Sequence, residues 1–575
     1  MNMQENNHEE DGIVVALKSL KGYFWYATLF SACINILMLT PIIYMLQVYD
    51  RVVSSGSLST LAMLTLLMML LLISSGGFEW VRSRLLIAAN VRFESDLRDA
   101  VSKTSSLRSL YTGNPVASTQ SMTDLIGLRQ FITGNGAFAL MDAPWTFVYI
   151  GVMFLFHSSF GIAAIIAAII MILFAVITQK STEGKLSKAN WLSQQANISF
   201  QNTLRNAEVV QGMGMAANIR ARDGLLYDDA ANEQATASVL AGRLSAISKS
   251  FRLIAQSLLL GQGAYLALNQ EISAGMMIAG SLLLGRALAP IDQMVGNWKG
   301  FIAAKNQFVR LRANLKAFPA ERERMSLPAP VGSLSVDQII VTPPGSQIAS
   351  VKGVGFQLSA GEALGIIGPS AAGKTSLARA ILGVWPLRAG TVRLDGAEID
   401  QWDRDKLGPY LGYLPQDIEL FDGSIAENIS RFSQPDPEEI ITAAKAAGIH
   451  EMILRLPEGY DTVINSNAGV LSAGQRQRLG LARAIYGQPK LIILDEPNSN
   501  LDDQGERDLL ETMQKMKNLG NTVIVITHRT SILDLVDKLL VMKDGVAARF
   551  GERQEVLQAL TRAPDNTVAK LQNQA

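Results

Sequence analysis

Residues Gly368-Pro369-Ser370-Ala371-Ala372-Gly373-Lys374-Thr375 spell a phosphate-binding loop. Backbone N–H groups of such a loop, with the N-terminus of the helix that follows, bind phosphate oxygens. Lys374 is placed to reach the β and γ phosphates, Thr375 to hold Mg²⁺ through its hydroxyl, and Ser376 to complete the phosphate-binding set. Downstream, Leu491-Ile492-Ile493-Leu494 runs into Asp495, a second group for the metal. Glu496 follows at once, placed to take a proton from an attacking water. An Asp-Glu pair merely capping a strand is the bland alternative, and it is weak beside an intact phosphate loop. Leu471-Ser472-Ala473-Gly474-Gln475 and Thr527-His528 complete the set. The chemistry implied is hydrolysis of ATP with Mg²⁺.

The elements that position these residues are legible. Ala363–Ile367 reads as a buried strand entering the loop, and Ser376–Leu382 as the helix leaving it. Short β-rich runs such as Ser335–Val341 alternate with helical stretches, which is the α/β pattern.

About 300 residues ahead of this region are mostly apolar. A chain of 575 residues is too long for one core. Charged residues make up 18%, below the roughly 25% usual for soluble proteins. Net charge is zero, so no global field points to nucleic acid, and none is expected as a partner. The single cysteine, Cys33, excludes an intrachain disulfide and reads as a small buried apolar residue.

No charge lies between Lys21 and Asp50, between Arg51 and Glu79, or from Ala143 to Gln179. The first two runs each exceed the roughly 20 residues a membrane helix needs. The third is long enough for a hairpin turning at His157-Ser158-Ser159-Phe160-Gly161, with its first helix starting near Asn135. Leu253–Gln270 and Ile272–Ala289 give a fifth and a weaker sixth span, and Pro41 is placed to kink the first. The joints inside these pairs hold only Asp50, Arg51, His157 and Glu271, whereas the long loops carry many Arg and Lys, so those loops face the cytoplasm. The long segments 79–134 and 180–250 are expected to be helical, with turning points that touch the ATPase domain. Asp142 and Arg286 are charges at membrane depth. Each reads equally as a functional group lining a polar passage or as one half of an ion pair.

The order of phosphate loop, Leu471–Gln475, Asp495-Glu496 and His528 resembles the ATP-binding cassette family, and six spans ahead of one such domain resemble its type I exporters. The fold implied is an all-α polytopic membrane domain of six helices followed by an α/β P-loop ATPase domain. The expected limits are 1–20 for a cytoplasmic N-terminal segment, 21–317 for the membrane domain, 318–332 for a linker, 333–558 for the ATPase domain and 559–575 for a polar tail. The resemblance implies that Gln416 senses the metal site, that Ser499-Asn500-Leu501-Asp502 is the loop after the acidic pair, and that His528 contacts the γ-phosphate. It also implies that Ser472, Gly474 and Gln475 bind the γ-phosphate held by a second copy, which makes the unit a homodimer. Two positions depart from the family pattern. Ala473 stands where glycine is common, and no Phe, Tyr or Trp lies between Phe318 and Phe356 to stack on adenine, where Pro343-Pro344 is found instead.

Met45–Val52, Met141–Trp145 and Gly285–Pro290 are similar to segments of bacterial type I secretion ATPases, above all the subgroup that exports metalloproteases and related repeat-containing proteins. With only about 20 residues ahead of the first span there is no room for an N-terminal peptidase-like domain. The resemblance implies an inner-membrane location, with the ATPase domain in the cytoplasm. Its implied cargo is an unfolded secreted protein with a C-terminal signal, and its implied partners are a periplasmic membrane-fusion adaptor and an outer-membrane channel. A lipid, drug or peptide exporter shares every ATPase motif and is the alternative.

Overall fold

A computed structural model describes residues 12–113, 118–318, 327–464, 471–487 and 489–562. It divides into two compact units, one of residues 1–109 and 114–320, the other of residues 110–113 and 321–575.

The first unit is helical. Gly12–Ser19 is a short helix that buries Ile13 and Ala16. Lys21–Leu37 and Thr40–Gln47 are separated at Met38-Leu39, just ahead of Pro41, and a π-helical turn, Val48–Val53, follows. Proline lacks the N–H that would continue the ladder, so the break falls where the sequence places it. Leu58–Thr112, Ser158–Arg205 and Ala216–Leu268 have 55, 48 and 53 residues. At 1.5 Å per residue each spans roughly 70–80 Å, against a hydrocarbon thickness of about 30 Å. Most of each helix therefore extends beyond any bilayer it crosses.

Asn135–Asp142 and Trp145–Phe156 are bent by 41° around Ala143-Pro144. The hairpin turn expected after them is a single extended residue, His157, whose ring accepts a hydrogen bond from the Ser159 N–H. Among the described residues four helices are long and apolar enough to cross a membrane, or five if the bent pair is one span. The expected fifth span is the C-terminal part of Ala216–Leu268 and falls outside that number. Gln256, Gln262, Ser257 and five glycines or alanines dilute its leucines, and its Leu259, Gly263 and Leu266 are buried in the unit.

The three short joints meet at one end. Asp50 accepts from the Ser273 hydroxyl at 2.6 Å and the Gly275 N–H at 2.9 Å, and His157 Nε2 lies 3.3 Å from Glu271. One apolar core packs Tyr149, Met153, Phe160, Met171, Leu259 and Leu283; a second packs Phe93, Leu97, Val101, Leu125 and Leu311.

The second unit is α/β. A six-stranded sheet runs β12 (Val546–Glu552), β11 (Lys538–Lys543), β3 (Ala363–Ile367), β10 (Thr522–Ile526), β9 (Leu491–Asp495), β6 (Leu411–Leu414). All its pairings are parallel except β11 with β12. A four-stranded antiparallel sheet, β2 (Val351–Leu358), β1 (Leu334–Val341), β4 (Leu387–Leu394), β5 (Ala397–Glu398), lies on one side, and β7 (Gly423–Ser424) pairs with β8 (Val463–Ile464). Strands β9 and β10 are buried on both faces, with Ile492, Leu494, Val523 and Val525 in one core and Leu491, Ile493, Ile524 and Ile526 in the other. That two-sided burial is why they read as unbroken apolar runs rather than alternating ones. The expected linker lies mostly outside the described residues. The final helix, Arg553–Arg562, runs past the expected limit at 558, anchored by Val556 in the core, and the rest of the expected tail lies outside the described residues.

Candidate functional site

Four adjacent parallel strands, in the order β3, β10, β9, β6, end on one edge of the sheet. Each carboxyl end delivers part of the site. β3 leads into Gly368–Thr375, β10 into Thr527-His528, β9 into Asp495-Glu496 and β6 into Gln416. In open α/β sheets, ligands bind at this edge. The register sets the spacing, since Asp495 pairs with Ile526 and so stands one residue from Thr527 across the ladder.

The phosphate loop is shaped by backbone that few residues tolerate. Gly373 has φ +92°, and a Cβ there would fall 2.2 Å from the Ser350 carbonyl. Ala371 holds φ +64° despite its side chain, the kind of local strain that collects at binding loops. Ser370 and Ala371 are exposed on the loop, Ala372 is buried, and Thr375 and Ser376 lie in the first turn of Lys374–Ile381. Lys374 folds back onto its own loop, its Nζ donating to the Gly368 carbonyl at 2.7 Å and the Pro369 carbonyl at 3.1 Å. Burial pushes its pKa down, against the pull of Glu496 and Asp495. These carbonyls stand in for acceptors that phosphate oxygens would offer.

Asp495 is almost wholly buried, and neither carboxylate oxygen has a well-formed hydrogen bond. Burial raises its pKa; the nearby Thr375 hydroxyl offsets part of that cost. A buried carboxylate left this way calls for a cation or donor.

Glu496 has φ +51°, and its N–H donates to the Ile526 carbonyl, tying β9 to β10 past the sheet. Gln416 Nε2 donates to Glu496 Oε2 at 3.1 Å, and His528 Nε2 lies 3.5 Å from Oε1. Burial lowers the His528 pKa, helped by the Lys374 charge and opposed by Glu496. The imidazole is therefore biased to its neutral form. Lys374, Asp495, Glu496, Gln416 and His528 thus act on one another in one chain.

Ser472, Gly474 and Gln475 do not join that group. Ser472 caps the helix Ala473–Ile485, and its hydroxyl accepts from the Gln475 N–H while Gln475 Oε1 accepts from the Ser472 N–H at 2.8 Å. Ala473 occupies the first helical position and is exposed, where a methyl costs nothing. Gly474 cannot be enlarged without a shift, because a Cβ would fall 2.7 Å from the Asn500 carbonyl. Among the described residues no hydrogen bond joins Ser472–Gln475 to Gly368–Ser376.

Sequence reasoning passed over Gln477, five residues after Ser472. It is buried, donates through Nε2 to the carbonyls of Glu496 and Pro497, and accepts from the Asn500 N–H at 2.9 Å. It therefore ties this helix to the acidic pair and the loop after it. A second glutamine in a helix that otherwise alternates Arg with apolar residues was the available signal.

The family model described as ABC transporter matches residues 351–499, and that described as ABC transporter transmembrane region matches residues 24–289. The chain is 43% identical over 548 residues to the type I secretion system ATP-binding protein PrsD of Rhizobium meliloti (strain 1021), covering 95% of this chain and 94% of that protein. It is 26% identical to the leukotoxin translocation ATP-binding protein LktB of Mannheimia haemolytica, covering 91% and 74%. Its identity to the cyclolysin secretion/processing ATP-binding protein CyaB of Bordetella pertussis is 29%, covering 76% and 61%. The solved structure of a bacterial Atm1-family ABC exporter with ATP bound superposes with a TM-score of 0.81 at 22% identity, covering 97% of this chain and 99% of that one. That likeness establishes the type I exporter fold.

Proposed function

We propose that this chain, which belongs to the ABC transporter family, is the ATP-driven inner-membrane exporter of a type I secretion system. The observation that carries this reading is the 43% identity to PrsD over nearly the whole of both chains. The cargo is an unfolded protein with a C-terminal signal, most fittingly a metalloprotease or related repeat-containing protein. The partners are a periplasmic membrane-fusion adaptor and an outer-membrane channel, and the ATPase domain faces the cytoplasm.

The site suits ATP with Mg²⁺. The orphaned Asp495 carboxylate and the Thr375 hydroxyl beside it are hard oxygen donors of the kind Mg²⁺ takes together with phosphates. When bound, Mg²⁺ offsets charge on the phosphate oxygens. Lys374 exchanges its loop carbonyls for β and γ oxygens. Glu496, held by Gln416, orients the attacking water and takes its proton through a carboxylate oxygen. Neutral His528, beside Glu496, donates toward the γ-phosphate.

The working unit is a homodimer. Support comes from the exposed Ser472, which stands apart from its own phosphate loop and is free to meet the γ-phosphate held by a second copy. Both sites keep Glu496, so both hydrolyse ATP. The membrane domain is taken as 21–317 and the ATPase domain as beginning at 333 and including the helix Arg553–Arg562, and the turning points of 79–134 and 180–250 transmit the ATPase motion.

The decisive experiment expresses the chain with an adaptor and an outer-membrane channel and follows a metalloprotease in the medium. Export by the wild type and none by E496Q is expected. Equal export of cargo lacking its C-terminus would sink the signal, and failure of cysteines at those turning points to cross-link to the ATPase domain would sink the coupling.

A further inference from the structure

A cavity of about 370 Å³ opens within the helical unit, walled by residues of five helices including Arg82, Glu79, Asp142, Phe138 and Arg286. At roughly 30 Å³ per water this is room for about a dozen water molecules, or for the end of a peptide. Its charges are unequally used. Arg82 is buried and donates to Asp142 Oδ1 at 3.3 Å and to the Ser31 hydroxyl at 2.7 Å, and its other terminal nitrogen lies 3.9 Å from Glu79. Both acids of the wall are thus engaged by one arginine. Arg286 makes no hydrogen bond or ion pair among the described residues, and it is exposed. Arg82 Nε is also buried without a partner.

The backbone adds a second feature. Pro290 lies inside the helix Ala274–Gly296 and lines the cavity. It has no N–H to return to the Arg286 carbonyl four residues earlier. A freed carbonyl at membrane depth persists where it lines a polar cavity. Residue 286 thus offers a guanidinium that can pair in a bidentate manner with a carboxylate, beside a carbonyl that receives no N–H from Pro290. Ile34, Met38 and Phe138 supply apolar wall beside it.

We propose that Arg286 and this cavity bind a carboxylate of the exported polypeptide, the terminal one fitting best because it carries a backbone N–H beside it. Glu79 and Asp142 in the same wall disfavour a polyanion such as a lipid phosphate and leave a monoanion. The proposal rests on the polypeptide-export reading above.

The test uses the purified full-length dimer in nanodiscs and a metalloprotease that the wild-type chain has first been shown to export. Failure of that export defeats the reading of the function. A fluorescent peptide of the protease C-terminus is then titrated as the free acid and as the C-terminal amide. The acid is expected to bind about tenfold more tightly to the wild type, a difference of about 1.4 kcal/mol. R286Q should bind both forms equally weakly, and R286K should recover part of the preference; elution volume and thermal unfolding establish that each variant is folded. If amide and acid bind alike but neutralising the peptide's Asp and Glu weakens binding only when Arg286 is present, the carboxylate comes from a side chain and the site stands. Discrimination that survives in R286Q, its absence for every carboxylate, or its loss when anionic lipid alone is exchanged for zwitterionic lipid would overturn the proposal.

Discussion

Gln416 Nε2 donates to one oxygen of the Glu496 carboxylate at 3.1 Å while His528 Nε2 stands 3.5 Å from the other. The glutamate is held from two sides, at a backbone conformation of φ +51° fixed by its N–H bond to the Ile526 carbonyl. A residue over-determined in this way is ready for a single proton transfer. Glu496→Gln keeps the shape and removes the base. It should lower ATP turnover by about 10²–10⁴-fold while ATP binding persists. Phosphate release and equilibrium nucleotide binding, measured on the same preparation, separate the two effects. Turnover within a few-fold of the wild type would remove Glu496 from the chemistry.

His528 predicts the pH dependence. Burial and the Lys374 charge hold its pKa below the ordinary imidazole value. The neutral form should persist as pH falls through about 6.5, so any acid limb of ATP turnover due to His528 lies below that pH and disappears in His528→Gln. The linkage has a matching sign. The unfolded chain takes up the proton first, so this group lowers stability as pH falls below about 6.5 and contributes nothing above it. A limb centred above 6.5 that vanishes in the variant would contradict the assignment.

Gln477 acts on the reaction without touching it. Gln477→Ala leaves the Asn500 N–H and the carbonyls of Glu496 and Pro497 without their partner. Stranded buried groups of this kind cost about 1–3 kcal/mol. Thermal unfolding should fall accordingly, and turnover should drop with little change in KM for ATP, because the loosened element carries Glu496 and not the phosphate loop. A rise in KM alone would place Gln477 elsewhere in the cycle.

The chemistry of this chain was more legible than its membrane packing, for a physical reason. Lys374, Glu496 and His528 each come after a strand and Asp495 ends one, and unbroken apolar runs such as Leu491–Leu494 announce strands buried on both faces. Residue order along the chain therefore translated directly into residue order along one sheet edge. The helices offered no such rule. Charge-free runs marked Lys21–Val53 and Leu58–Thr112, but the C-terminal part of Ala216–Leu268 carries Gln256, Ser257 and Gln262 among its leucines, which lowers its mean hydropathy. Gln477 escaped because its role is to join two loops, and sequence spacing does not report which carbonyls a helix will face. Asp142 was balanced between two readings, and both describe it: it pairs with Arg82 and stands in the wall of a polar cavity.

That pair supports the last prediction. Asp142 Oδ1 accepts from Ser31 and Asn35 at 2.8 Å each as well as from Arg82, and Tyr149 donates to Asn35 Oδ1 at 2.8 Å. Arg82 also lies over the Phe138 ring. Removing one partner of a buried pair strands the other, so Asp142→Leu or Arg82→Met alone should each cost about 3–5 kcal/mol. Removing both strands neither. The double variant Arg82→Met, Asp142→Leu should therefore recover much of the loss, with a coupling of about 0.5–3 kcal/mol for groups in direct contact. Thermal unfolding of the four proteins closes the cycle. Additive losses would mean that the two side chains stabilise the helical unit independently, and that the charge at residue 142 is held by something other than Arg82.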